Sequence, residues 1–156
     1  MTQTYARVEG GERIYMPVPF VKGKKISLIG AVSIHSVEAA WYGEWNTNGE
    51  IFIKFIETQL VPKLSRKNVI IMDNIQFHKS QMVIKAIKKT GAKIMFLPPY
   101  SPEFSPIENM WSKIKLVLRR LAPRSIKAFS KAISQAFSEV KATDLLGWFN
   151  HCGYSA

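Results

Sequence analysis

Apolar positions in this chain follow two rhythms, and the switches between them mark out the elements. Residues 26–34, from Ile26 through Leu28, Ile29 and Val32 to Ile34, predict a strand. Residues 37–45 predict its neighbour after a tight turn at His35-Ser36. Asn46-Thr47-Asn48-Gly49 closes that pair. Thr47 and Glu50 have the spacing of a capping box, and the helix beyond them turns Phe52, Phe55, Ile56 and Leu60 inward. Pro62 has no N–H to give that helix and ends it or bends its last turn. Residues 68–73 form a short apolar run without alternation, as in a strand covered on both faces of a parallel sheet. Residues 80–90 predict a helix with Val83, Ala86 and Ile87 inward, which Gly91 is placed to stop. Residues 93–97 are the next strand, and 106–121 and 125–141 are two further helices split at Ala122-Pro123. Residues 1–25 are polar and punctuated by Gly and Pro, with a short hairpin predicted around Tyr5-Ala6-Arg7 and Arg13-Ile14-Tyr15. Strand–helix–strand alternation through the middle predicts an α/β fold with a partly parallel sheet.

Length and charge sharpen this picture. At 156 residues the chain is expected to be one domain, residues 1–156, able to bury a sizeable core. Lys and Arg outnumber Asp and Glu by 22 to 11, a net charge of +11. Such a balance favours phosphate-rich partners, because neutralising phosphates releases condensed counterions. Cys152 is the single cysteine, which excludes an internal disulfide and fits a reducing compartment. With no second Cys near His151-Cys152, a buried thiol is expected there rather than a metal ligand. The sequence shows no signal pattern and no apolar stretch of membrane-spanning length, so a soluble intracellular protein is expected.

Two acids carry the candidate chemistry. Asp73 ends the apolar run at residues 68–73, and Glu108 opens a helical pattern just after a proline-rich run, residues 97–106. Thirty-four residues lie between them, room for one helix and one strand. An acid at a strand's carboxyl end and another on a nearby helix can share a hard divalent cation. Magnesium takes one or two carboxylates and fills its other positions with water and phosphate oxygens. Each acid also has a purely local reading. Ser105-Pro106-Ile107-Glu108 has the spacing of a capping box, and Asp73 could be a turn former at a strand end. Asn74 and His78 are neighbours of the same site; His78 faces either the reacting phosphate or its own loop. On the helix from Pro106, Glu108, Ser112, Lys115 and Arg119 share one stripe, opposite Ile107, Trp111, Ile114, Leu118 and Leu121. Lys115 and Arg119, with Lys113 and Arg120 on the flank, therefore form a candidate track for a DNA backbone, against the plainer reading of a solvated face.

Asp73-Asn74 followed by His78, then Leu97-Pro98-Pro99-Tyr100-Ser101-Pro102 running to Pro106-Ile107-Glu108-Asn109-Met110-Trp111, resembles the catalytic domain of mariner-type DDE transposases, in particular their bacterial insertion-sequence relatives. The likeness covers nearly the whole chain. It implies a ribonuclease-H-like mixed sheet with flanking helices, with Asp73 as the second and Glu108 as the third acid of the triad. It further implies two Mg2+ or Mn2+ ions in the intact enzyme, DNA strand cleavage and transfer at transposon ends, target DNA as a second partner, and action as a homodimer. A cytoplasmic, nucleoid-associated bacterial protein follows from the same likeness. The family's first acid lies on a first, central strand ahead of the stretch matching Tyr5, usually as an Asp-Glu pair. Here Met1-Thr2-Gln3-Thr4 stands at that point, so the expectation is a partial, N-terminally truncated domain without that strand, its Asp, or the helix-turn-helix region. Glu9 and Glu12 are the nearest acids in sequence and read as surface charge, as do Glu38 and Glu44 on the second strand.

The function expected is that of a transposase catalytic domain, inactive alone for want of one triad acid. Two rival readings stand beside it. One is a basic DNA-binding module without catalysis, and the other is a different ribonuclease-H-like nuclease such as a junction resolvase. The proline-rich approach to Glu108 counts against the second.

Overall fold

In the computed structural model, residues 26–154 are described. The hairpin expected near Tyr5, together with Glu9 and Glu12, lies outside them. β1 (Ser27–Val32) pairs antiparallel with β2 (Val37–Gly43), from Ser27↔Gly43 to Val32↔Val37, with an irregularity between Ala31 and Val32. Serines build the turn: Ser33 N–H donates to the Ser36 carbonyl at 2.8 Å, and both hydroxyls donate to Glu38 at 2.6 and 2.7 Å. Those donors hold the Glu38 carboxyl below its ordinary value.

α1 (Gly49–Phe55) starts one residue later than the Thr47 spacing implied. Asn48 is its N-cap and accepts from Ile51 N–H at 2.9 Å, so no Thr47–Glu50 box forms. The helix then widens into a π turn over Ile56–Leu60 and tightens to a 3-10 turn over Val61–Lys63. Pro62, lacking a donor, falls where the regular ladder has ended. Phe52, Phe55, Ile56 and Leu60 are all buried, as the periodicity predicted.

β3 (Val69–Met72) and β4 (Lys93–Phe96) pair in parallel through α2 (Gln81–Lys89), from Val69↔Lys93 to Met72↔Phe96. Ser80 caps α2, and Gly91 takes the left-handed φ of 84° that ends it. α3 (Pro106–Leu121) is followed by α4 (Ile126–Ser138) and α5 (Ala142–His151). The sequence reading ran α4 on to residue 141. The helix in fact stops at Ser138, and α5 begins a new segment whose first turn is fixed by Lys141 N–H donating to Asp144 Oδ2 at 2.8 Å.

Two cores result. One gathers Ile29, Phe52, Phe55, Ile56, Met72, Val83 and Ile87; the other gathers Met110, Ile114, Val117, Leu118, Ile133 and Ala136. β1 divides its side chains between them, with Ile29 and Ala31 toward the first and Leu28 and Val32 toward the second. Helices therefore cover both faces of the strands. At Gly30 the backbone comes so close to α3 that an added Cβ would meet the Trp111 ring at 2.9 Å. Among the described residues the mixed sheet is in two halves, β1–β2 and β3–β4, with no strand joining β1 to β3. β3 is less covered at its start than its run of apolar residues implied, with Val69 50% exposed.

Candidate functional site

A single cavity of about 1160 Å3 lies between the two half-sheets and is lined by β1, β3, the loop after each of β3 and β4, and the first turn of α3. Its walls bring together Asp73, Asn74, His78 and Glu108 from separate stretches of sequence. The parallel pairing of β3 with β4 explains why. Both strands deliver their carboxyl ends to the same side, so Asp73 leaves β3 beside the loop that carries the chain to α3. Leu97 N–H donates to the Met72 carbonyl at 2.8 Å and holds that loop against the strand end.

Asp73 is open to solvent, with its side chain 53% exposed. His78 lies behind it, its Nδ1 2.5 Å from Asp73 Oδ1. The imidazole is sandwiched by aromatic rings, with Phe52 at 4.1 Å between centroids and Phe77 edge-on at 4.8 Å. The contact with Asp73 is a close polar approach without hydrogen-bond alignment, and Nδ1 is sequestered without an aligned partner among the described residues. Burial pushes the His78 pKa below its ordinary value, a pull that the Asp73 charge opposes but does not overcome. His78 therefore packs against one side of Asp73, and both residues line the cavity. Sequence periodicity had put Phe52 in the core, yet nothing in the sequence tied it to His78.

Glu108 resolves in favour of an uncommitted carboxylate. Ser105 is the N-cap and Pro106 is N1, as the spacing required, but the Ser105 side chain makes no cap hydrogen bond and Glu108 makes none back. Only the backbone closes the turn, with Glu108 N–H donating to the Ser105 carbonyl at 3.0 Å. The acid is exposed in the first turn of α3, where the helix dipole favours negative charge. Trp111 beneath it anchors the turn onto Gly30 of β1. Tyr154 secures the preceding loop from the other side, its hydroxyl donating to the Phe104 carbonyl at 2.8 Å. That latch comes from beyond α5, an element absent from the sequence reading.

The basic stripe divides in two. Lys115 and Arg119 lie on the exposed face of α3 about 10 and 16 Å along its axis from Glu108, and form no ion pair among the described residues. Lys113 is committed to Asp144 at 2.5 Å and Arg120 to Glu139 at 2.5 Å, and both acids are held below their ordinary pKa by those contacts. Those two cations brace α3 against α5 and against the end of α4. Cys152 is buried, and burial pushes its thiol pKa up, as expected of a packed cysteine.

The donor set suits a hard cation: two exposed carboxylates and the Asn74 amide line one cavity, and all can offer oxygen ligands. Among the described residues no third His, Cys, Asp or Glu joins them to make a protein-only metal cage. That leaves positions for water and phosphate oxygens. No helix among the described residues is long and apolar enough to cross a membrane.

Comparison with known proteins bears on the family and the fold. The model of a family described as DDE superfamily endonuclease matches residues 1–130. No curated protein matches the chain. Among solved structures, the Mos1 transposase paired-end complex with left transposon end aligns with 97% of this chain at 16% identity and a TM-score of 0.77. The Mos1 strand transfer complex aligns with 97% at 15% identity and 0.77, and the Mos1 mariner paired-end complex with Mn with 94% at 14% identity and 0.74. The chain spans about half of each, 47%, 47% and 46% of their lengths. The likeness bears out the ribonuclease-H-like mixed α/β fold expected from the sequence.

Proposed function

Because the chain belongs to the DDE superfamily endonuclease family, we propose that Asp73 and Glu108 hold a Mg2+ or Mn2+ ion for DNA strand cleavage and transfer in transposition. One observation supports this reading: two acids separated by 34 residues line the same cavity, both exposed and neither engaged in a cap. Bound there, a divalent ion supplies charge neutralisation at a phosphate and activation of an attacking oxygen. The chain's own part is positional. His78 and the end of β3 fix Asp73, Trp111 and the Tyr154 latch fix the first turn of α3, and Asn74 offers a neutral oxygen next to Asp73 in the chain. Lys115 and Arg119 lead away from the acids and suit contact with successive phosphates. Lys113 and Arg120 have lent their charge to Asp144 and Glu139 and contribute less.

The intact activity calls for a second ion and a third acid, which the described residues do not supply. Asp73 and Glu108 by themselves are expected to bind a single ion. Transposon ends, target DNA, pairing as a homodimer and a bacterial, nucleoid-associated setting belong to the same proposal. Support for the DNA partner comes from the net charge of +11 and the Mos1 transposon-end complexes among the similar structures.

The test is titration of the full chain with Mn2+, read by electron paramagnetic resonance. Asp73→Asn and Glu108→Gln should each weaken binding by about tenfold or more, roughly 1.4 kcal/mol. Unchanged Mn2+ affinity in both variants would remove the cation site. A DNA-binding module without catalysis is favoured instead if salt-sensitive DNA binding persists in the double variant while Mn2+ binding is absent from the parent.

A further inference from the structure

Residues 61–93 carry eight cations and a single acid, Asp73, so this stretch holds most of the net charge of +11. Five of those cations gather at the end of the β3–β4 pair opposite Asp73. Arg66 and Lys67 stand in the turn that enters β3, and Lys93 opens β4 in register with Val69. Lys88 and Lys89 lie in the last turn of α2, which runs straight into that end of β4, with Lys85 one turn behind. All six are exposed, and none forms an ion pair among the described residues. The corner has a fixed frame. The Ser65 N–H and hydroxyl donate to Asn68 Oδ1 at 2.8 and 2.9 Å, and Lys93 N–H donates to the Asn68 carbonyl at 3.0 Å. The Arg66 stem crosses Gly91, where an added Cβ would meet Arg66 Cγ at 2.5 Å. The helix dipole accounts for Lys88 and Lys89 at the end of α2, but not for Arg66, Lys67 or Lys93.

We infer that this corner is a second contact surface for duplex DNA, one that grips the phosphate backbone without reading sequence. It rests on the DNA partner proposed above and not on the cation site. Four of its five cations are Lys, a residue that protein–protein interfaces deplete. A regular array of phosphates, by contrast, rewards unpaired ammonium groups through counterion release. The surface is separate from both features already described. Six residues of extended chain lead from Lys67 to Asp73, about 20 Å, so the corner cannot touch a phosphate held at the acids. Nor does it continue the Lys115–Arg119 stripe, which lies on α3. Twenty ångströms is about six steps along a duplex, so one DNA lying on the protein can reach the corner and the acids together.

The test is fluorescence anisotropy of the full chain with a labelled duplex of about 30 bp, in EDTA, as salt is raised. The triple variant Arg66→Ala/Lys67→Ala/Lys93→Ala should lower the slope of log affinity against log salt by about 2–3, near 0.9 for each lost phosphate contact. Arg124→Ala/Lys127→Ala/Lys131→Ala removes the same charges at the start of α4 and should lower that slope by less than about 1. Acetylation of the unsubstituted chain, read by mass spectrometry, repeats the test without any change to the fold. Bound DNA should slow modification several-fold at Lys67, Lys88, Lys89 and Lys93, and far less at Lys127 and Lys131. Equal slopes in the two triple variants, or equal protection of the two sets of lysines, would overturn the inference and leave the DNA partner standing. A parent chain that binds no duplex would remove that partner and this surface with it. Because EDTA strips divalent ions, the Mn2+ titration decides neither outcome.

Discussion

Gly30 is the position where a single added carbon should reach the candidate site from outside it. In Gly30→Ala the new Cβ would lie 2.9 Å from Trp111 Cη2, 3.2 Å from Cζ2 and 3.3 Å from the Ala39 carbonyl oxygen. Carbon–carbon contacts are most favourable at about 3.5–4.0 Å, so the indole must retreat by roughly 0.6–1 Å. The Ala39 carbonyl belongs to the paired strand and gives little, which leaves α3 to move. Overpacking of this kind costs about 1–3 kcal/mol. For a chain of this length a loss of 2 kcal/mol lowers Tm by roughly 4–8 °C. Trp111 lies one turn beyond Glu108, so the same displacement carries the carboxylate with it and should weaken Mn2+ binding without touching a ligand. Urea unfolding followed by circular dichroism gives the stability, and an unchanged m-value shows that the fold is retained. Trp111→Phe removes the ring atoms in question and costs something by itself as a cavity. In the double variant the two losses should not add, with a favourable coupling of about 1–2 kcal/mol and partial recovery of Mn2+ affinity. Additivity to within about 0.5 kcal/mol would refute the contact as the cause.

Other outcomes follow from the same structure. Ala122 ends α3 in the left-handed region at φ 41°, so Ala122→Gly should stabilise the chain by about 0.5–1 kcal/mol, seen as a higher urea midpoint. His78 has a folded pKa below its ordinary value of 6.5, so the unfolded chain takes up that proton more readily. Stability should be full above about pH 6.5, decline as pH falls through it, and level off once the folded ring is also protonated. His78→Gln should flatten that decline, and an identical slope in the variant would place its origin elsewhere. Lys115→Ala and Arg119→Ala should each reduce the slope of log affinity for duplex DNA against log salt by about 0.9. Lys113→Ala should leave that slope unchanged and lower stability instead, since its ammonium is bound to Asp144.

Much of this architecture was legible because its signals are local. β3, α2 and β4 came from an unbroken apolar run, an inward stripe of Val83, Ala86 and Ile87 and a Gly91 stop, all of which the structure uses. The inward positions of α1 held because a helix has one apolar stripe whatever lies opposite. Boundaries set by competing polar side chains were less legible. Thr47 and Asn48 are both good caps, and the backbone at Asn48 decides between them. α5 was hidden because the apolar spacing continues through residues 139–141, while the break depends on the Lys141 amide finding Asp144. At the site, the two acids could be named from their sequence neighbours, but the use of Glu108 could not. Its spacing satisfies a capping box, and only the orientation of the Ser105 hydroxyl shows that the box is empty. The halves of the basic stripe are likewise indistinguishable in sequence, because Asp144 and Glu139 arrive from elements 31 and 19 residues away.

The paired cores give the acids a mechanical relation to one another. Asp73 is rooted in the half of the molecule built on α1 and α2, and Glu108 in the half built on α3 and α4, with β1 as their shared seam. An ion gripped by both carboxylates would rivet the halves together, so occupancy should register as rigidity as well as chemistry. Unfolding in which the halves come apart at different temperatures would then merge into one transition as Mn2+ is raised.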